Sequence, residues 1–177
     1  MSKALGYSLW LVPDSNSVLY RILERYIIQV STEYKTPKFV PHVTLLGGLI
    51  DDEKDLCGKT KKLAEMLEPY EVQLGEIGSN GIYFQALLSK VSQANAVISA
   101  NTLAQQVFGV NKGAYFPHVS LAYGDFSQEE IAMLQGDLTK RDLLGTEKNF
   151  LVKEVELWHT EGMVRDWCKV AVFPFKS

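Results

Sequence analysis

The chain has 177 residues, 46% of them hydrophobic and 22% charged, which suits one globular domain or two closely packed lobes sharing a core. A formal net charge of −3 with scattered Lys and Arg argues against a grip on long nucleic acid, yet leaves room for a small phosphate ligand. No window approaches the 18 or so apolar residues of a membrane span, and the N-terminal apolar run, broken by Pro13, is too short for a signal peptide.

The elements follow in chain order. "YSLWLVP" (7–13) reads as a buried strand ended by proline, and "DSNS" (14–17) supplies helix N-cap residues. Val18, Leu19, Ile22, Leu23, Tyr26, Ile27 and Val30 then repeat at helical spacing and mark one inward face. A strand over about 42–48 follows. Asp51 or Asp52 opens a second helix with an inward stripe of Leu56, Leu63, Met66 and Leu67. Residues 70–91 read as two strands around a "GSNG" turn. A third helix, about 93–108, turns Ala94, Val97, Ile98, Ala104, Val107 and Phe108 inward. The loop "GVNKGAY" (109–115) has two glycines that permit a mobile rim, and a strand over about 118–123 comes next. Ser127 and Glu130 have the spacing of a capping box for a fourth helix. "KNFLVKEVELWHTEG" and "VRDWCKVAVFPF" close the chain as a pair of strands around "TEGM". The sum is an α+β chain of two similar halves with no linker between them.

Two stretches repeat. "FVPHVTLLGGLI" (39–50) and "YFPHVSLAYGDF" (115–126) align at an offset of 76, matching Pro41 to Pro117, Leu45 to Leu121, Gly48 to Gly124 and, beyond, Glu53 to Glu129. They carry two of the three histidines. Residues i and i+2 of a strand share a face about 6.5–7 Å apart, so His42 sits with Thr44 and His118 with Ser120, backed by Val43, Leu45, Val119 and Leu121. Brought together, the strands offer two imidazoles that titrate near neutrality and two hydroxyl donors. In-line displacement at a phosphodiester asks for a base on the attacking oxygen, an acid on the leaving oxygen, and donors on the two oxygens between them. That makes His42, His118, Thr44 and Ser120 the candidate catalytic set. Equivalent flanks leave open which histidine is base and which is acid. Clusters with metal-ligand spacing are missing from the sequence, so neither a metal nor another cofactor is expected. Cys57 and Cys168 form no framework and read as reduced cytoplasmic thiols.

Paired His-x-Thr/Ser motifs in a duplicated α+β chain resemble the two-histidine (2H) phosphoesterases. "YSLWLVP", "FVPHVTL", "FPHVSLAYGDF" and "DWCKVAVF" are similar to the cyclic nucleotide phosphodiesterases of plants and fungi, and the likeness covers essentially the whole length. The resemblance implies a bilobal fold over residues 1–177, a single domain of two pseudo-symmetric lobes, with two antiparallel sheets facing across a central cleft and helices outside. It implies metal-free opening of ADP-ribose 1″,2″-cyclic phosphate to the 1″-phosphate and of nucleoside 2′,3′-cyclic phosphates to 2′-phosphates, downstream of tRNA splicing. The expected partner is a small cyclic-phosphate nucleotide, with no long nucleic acid and no membrane, bound by a monomer.

Tyr123, Trp10 and Tyr7 match substrate-side aromatics of that family. Strict alternation turns Tyr123 away from His118 and Ser120, so it joins the site only where the strand has already ended, as Gly124 allows. Trp10 on a central strand serves either a ligand or the core. His159, without the proline or the hydroxyl, reads as a bystander. A 2′,5′-phosphodiesterase, an RNA end-trimming enzyme or a 2′,5′ ligase would use the same four residues, and a nucleotide-binding module without turnover is the alternative of another class. The copies part at Gly47 against Tyr123.

Overall fold

The computed structural model describes residues 2–176. Three of the four helices start where a cap is written, and the third in chain order follows Ala94 with no side-chain cap. Ser17 accepts from the Tyr20 N–H to open α1 (Val18–Tyr34), and Asp52 accepts from the Lys54 N–H to open α2 (Glu53–Ala64). α3 (Asn95–Phe108) stops at Gly109, whose left-handed φ of 67° closes the last turn. In α4 (Gln128–Arg141) Ser127 and Glu130 exchange side-chain-to-backbone bonds as a reciprocal capping box. The inward faces hold for most positions, with exceptions at the stripe edges. Val18 and Ile98 are exposed, and Met66 lies past the end of α2 with its side chain out.

The strands are β1 (Tyr7–Leu11), β2 (Val43–Leu49), β3 (Tyr70–Gly78), β4 (Leu87–Ser92), β5 (His118–Ala122), β6 (Asn149–Val152), β7 (Glu154–His159) and β8 (Cys168–Pro174). "GSNG" is part of a longer connection that contains a 3₁₀ turn at Tyr83–Gln85, because the ladder between β3 and β4 ends at Gly78 and Leu88. "NFLVKEVELWH" reads as one strand in sequence and is two. β6 pairs with β3, whereas β7 pairs with β1 and β8, and Lys153 alone separates them.

That break reveals the shape of the sheet. The strand order is β6-β3-β4-β5-β2-β1-β7-β8, with every neighbour antiparallel. β6 is the first strand of that order and β7 the seventh. Yet Val152 and Glu154 are two residues apart, a span of at most about 7 Å. The two ends of the sheet therefore approach each other, and the sheet is curled. The expected pair of separate sheets is replaced by one eight-stranded sheet with a narrow waist. Among the described residues β2 and β5 share a single ladder pair, Val43 with Val119, and that pair joins the two four-strand halves.

The waist is braced from behind. α1, which precedes β2 in the chain, packs on β5, and α3, which precedes β5, packs on β2. Val43, Leu45, Val119 and Leu121 are fully buried beneath those helices, leaving the opposite face of both strands to the histidines. No helix among the described residues is long and apolar enough to cross a membrane.

Gly6 sets the start of β1. Its φ is +59°, and a Cβ there would run into the Leu49 carbonyl oxygen. Gly6→Ala is expected to cost at least about 2 kcal/mol, lowering Tm by about 4–8 °C in a thermal melt followed by circular dichroism. An unchanged Tm would show that the β1–β2 end can open without cost.

Candidate active site

The repeat begins with proline for a local reason. Proline fixes its own φ and holds the residue before it extended. In both copies the carbonyl of that preceding residue meets the histidine ring. His42 Nδ1 lies 2.6 Å from the Val40 oxygen, and His118 Nδ1 lies 2.8 Å from the Phe116 oxygen. A carbonyl only accepts, so each Nδ1 carries the proton and each Nε2 keeps its lone pair. The motif thus selects a tautomer as well as a position.

The Val43–Val119 pair then sets the two histidines against each other. In an antiparallel pair, one step back on either strand faces one step forward on the other. His42 therefore stands across from Ser120, and Thr44 across from His118. Each imidazole has the other copy's hydroxyl as its cross-strand neighbour. All four line one cavity of about 380 Å³.

The four are not equivalent. His42 is almost wholly buried, and loss of water pushes its pKa down to about 3, with the bond to Val40 opposing and His118 adding repulsion. His118 is half-buried and is pushed down by the same loss of water, again opposed by its carbonyl. Thr44 is half-buried at the cavity wall. The Ser120 hydroxyl donates to the Phe84 oxygen at 2.9 Å, so it must rotate before it can donate to a ligand.

Trp10 lies flat on His42, with ring centroids 3.5 Å apart and planes 6° off parallel. Trp158 stacks on it at 4.1 Å. Two rings that close to one indole occupy its opposite faces. Trp10 borders the cavity but has no free face for a nucleobase, and it acts here as the plate that fixes His42. Behind it the Trp158 indole donates to Glu156 at 2.7 Å, and Lys169 holds the other carboxylate oxygen at 2.8 Å. Stacking on an indole favours an imidazolium and so counters part of the desolvation at His42.

Tyr123 reaches the cavity because β5 ends at Ala122, which frees it from alternation. It is buried, stacked on Phe39 at 3.8 Å, with its pKa raised by burial. Tyr7 lies outside the cavity. Its hydroxyl donates to Glu53 at 3.1 Å, and its ring meets the edge of His159 at 4.8 Å. The difference from the expected substrate contact follows from alternation, since Ser8 and Trp10 take the cavity face of β1. His159 is likewise outside.

Several cavity residues had no sequence signal. Phe84 arrives on the 3₁₀ turn and Trp167 just after a second one (Val164–Asp166). The Ser8 and Thr160 hydroxyls pair at 3.0 Å in the wall. The 109–115 loop, open to mobility by its glycines, is pinned. Tyr115 donates to the Thr44 oxygen at 2.8 Å. Asn101 donates to the Leu45 oxygen, Gln105 donates to Asn101, and the Lys112 N–H donates to Gln105. Lys112 Nζ donates to the Gly48 oxygen at 3.0 Å. Tyr115 stands in the repeat itself, and its distance from β2 in sequence hid its role.

The family described as "Cyclic phosphodiesterase-like protein" matches residues 5–174. The chain belongs to that family. It is thus a member of the cyclic phosphodiesterase branch of the two-histidine phosphoesterases. A curated "Cyclic phosphodiesterase" of Arabidopsis thaliana is 23% identical over 125 residues, 70% of this chain and 68% of that protein. Among solved structures, E. coli LigT complexed with 3′-AMP aligns over all of both chains with a TM-score of 0.59 at 12% identity. TT0787 of Thermus thermophilus aligns over 97% of this chain and 98% of its own, with a TM-score of 0.56 at 12% identity. These two share the fold.

Burial of neutral His42 has a consequence for stability. Its pKa is depressed on folding, so the unfolded chain takes up its proton first as pH falls. The contribution is intact above the unfolded value near 6.5 and is lost progressively below it, down to about 3. Between pH 7 and 5 the wild type is expected to lose about 2 kcal/mol more than His42→Gln, read as diverging Tm curves. Parallel curves would mean that His42 is not held neutral.

Proposed function

We propose that the protein is a hydrolase opening the cyclic phosphates of small nucleotides. ADP-ribose 1″,2″-cyclic phosphate would give the 1″-phosphate, and nucleoside 2′,3′-cyclic phosphates would give 2′-phosphates, as a cytoplasmic monomer handling tRNA-splicing products. The observation that carries this reading is the pair of histidines with matched tautomers facing one cavity from the two copies of a repeat. Family membership supports it, as does the name of the Arabidopsis relative. E. coli LigT, which shares the fold, has been solved with phosphate and with 3′-AMP.

The chemistry can be written with the side chains alone. One Nε2 takes a proton from water, whose oxygen forms a bond to phosphorus. The P–O3′ bond breaks, and the leaving O3′ takes a proton from the Nε2–H of the other histidine. The product is a 2′-phosphate with a free 3′-hydroxyl. Thr44 and Ser120 donate to the remaining phosphate oxygens as charge builds. Both imidazoles are driven toward the neutral form in the open cavity, so the acid must gain its proton with the substrate, whose negative charge raises the pKa of an adjacent imidazole. The Phe84, Phe116 and Trp167 rings line the same cavity and offer apolar surface for the nucleoside.

His42→Ala and His118→Ala are each expected to lower kcat about 10²–10⁴-fold while the far-ultraviolet circular dichroism stays native. The pH–rate profile should be bell-shaped, since one histidine works neutral and the other protonated. Among the described residues no group of three His, Cys, Asp or Glu could hold a metal ion, and a chelator is expected to leave the rate unchanged. Incubation with 2′,3′-cyclic AMP and ADP-ribose 1″,2″-cyclic phosphate, followed by product separation, decides the matter. A flat profile from pH 5 to 8, or tight binding with no opened product, would reject the catalytic reading.

A further inference from the structure

Glu156 is 4% exposed, and none of the proposed chemistry uses its carboxylate. Strand alternation puts it on the face of β7 opposite the core residues Val155 and Leu157, and it does not line the cavity. A buried ion pair adds little stability over a well-packed apolar residue of like size. Its presence in a packed wall therefore asks for another account, and its partners supply one.

One carboxylate oxygen accepts from the Trp158 indole at 2.7 Å, and the other accepts from Lys169 at 2.8 Å. Lys169 Nζ also lies 5.8 Å from the centre of the Trp158 ring. Trp158 stacks on Trp10, and Trp10 stacks on His42. Lys169 belongs to β8, Glu156 and Trp158 to β7, Trp10 to β1, and His42 directly precedes β2. Those four strands are consecutive in the sheet. One line of contacts thus crosses half the sheet, from its β8 edge to the histidine at the waist. His118 has no matching brace among the described residues. The ring stacked near it is Phe116, 5.4 Å away and itself 39% exposed.

Each contact removes a particular freedom. The Val40 carbonyl fixes one edge of the His42 ring and leaves the ring able to rock about that bond. Contact with the flat face of Trp10 removes the rocking. Trp10 keeps that plane because Trp158 backs it. A tryptophan turns about its ring torsion in a broad, roughly two-fold well. The charge-assisted bond to Glu156 selects one orientation of Trp158, and Lys169 compensates the charge that the bond requires.

We infer that Glu156 is a positioning residue for the reaction: through Trp158 and Trp10 it fixes the plane of the His42 imidazole, and so the direction in which Nε2 faces the cavity. It touches no reacting atom. The inference rests on the reading of His42 as a catalytic histidine, so one arm of its test needs no turnover.

That arm is nuclear magnetic resonance of the protein carrying isotope-labelled histidine, at one fixed neutral pH. Three histidines give three ring signals, assigned with His42→Gln and His118→Gln. A proton over the face of an indole is shielded, so the wild-type His42 signal should lie upfield of free histidine. Glu156→Leu removes the acceptor, and Trp158→Phe removes the donor while keeping a ring. Each should move the His42 signal toward free histidine and leave the His118 signal in place. Each should also lower kcat for 2′,3′-cyclic AMP roughly ten- to hundredfold with KM unchanged. The double variant should lose no more than either single one. Glu156→Gln keeps an acceptor for Trp158 and should restore both the signal and kcat. An unmoved His42 signal in the two single variants overturns the inference, as does equal movement of the His118 signal, which would mark a general loosening of the sheet. A moved signal with kcat unchanged overturns it too, because the plane of His42 would then not matter to the reaction. Should Glu156→Leu fail to fold, Trp158→Phe and Glu156→Gln give the same two readouts. If the wild type opens no cyclic phosphate while the signals behave as expected, the brace stands and the proposed activity falls.

Discussion

Val43 and Val119 form the ladder pair between the two halves of the sheet, and each sits next to a histidine. The separation of His42 and His118 is therefore set by the junction itself, with no intervening segment to flex. A single pair is a weak joint by the ladder alone. It is held because α1 and α3 each cross behind the other copy's strand, and because the loop before His118 is tied to β2 by Tyr115, by Lys112 and through Asn101 and Gln105.

The electrostatics follow from the same packing. Behind the strands is a dry core, and in front is a cavity walled by aromatic rings. Imidazoles in such a setting give up their charge, most of all His42 under Trp10. Each ring has spent one nitrogen on a carbonyl two residues back, so a single nitrogen remains for chemistry. Asymmetry enters through the surroundings of the two copies. Trp10 covers one histidine, Phe116 stands 5.4 Å from the other, and the Tyr123 ring occupies the place where the first copy has only Gly47.

Much of this was readable from residue order. Period located all four helices, with caps marking the start of three, and the doubled motif named the four polar groups that line the cavity. What escaped was of two kinds. Segments whose local pattern is uniform can belong to different partners: "NFLVKEVELWH" alternates like one strand, yet Lys153 passes it from β3 to β1. Side chains on irregular turns, such as Phe84 and Trp167, have no period to betray which way they face. Trp10 was legible as a strand residue beside the motif. Its two covered faces, which reserve it for His42, became visible only with Trp158 in place.

The sequence by itself determined the local chemistry: proline before histidine, a hydroxyl at the second position after it, and apolar anchors on the reverse face. These are short-range facts, fixed by strand alternation and by the geometry of a carbonyl two residues away. Only the tertiary structure decided that His42 faces Ser120 and His118 faces Thr44, that the sheet curls as one, and that Lys112 stands at the rim. Those depend on register and loop anchoring between segments as far apart in the chain as Tyr7 and His159, which no local pattern encodes.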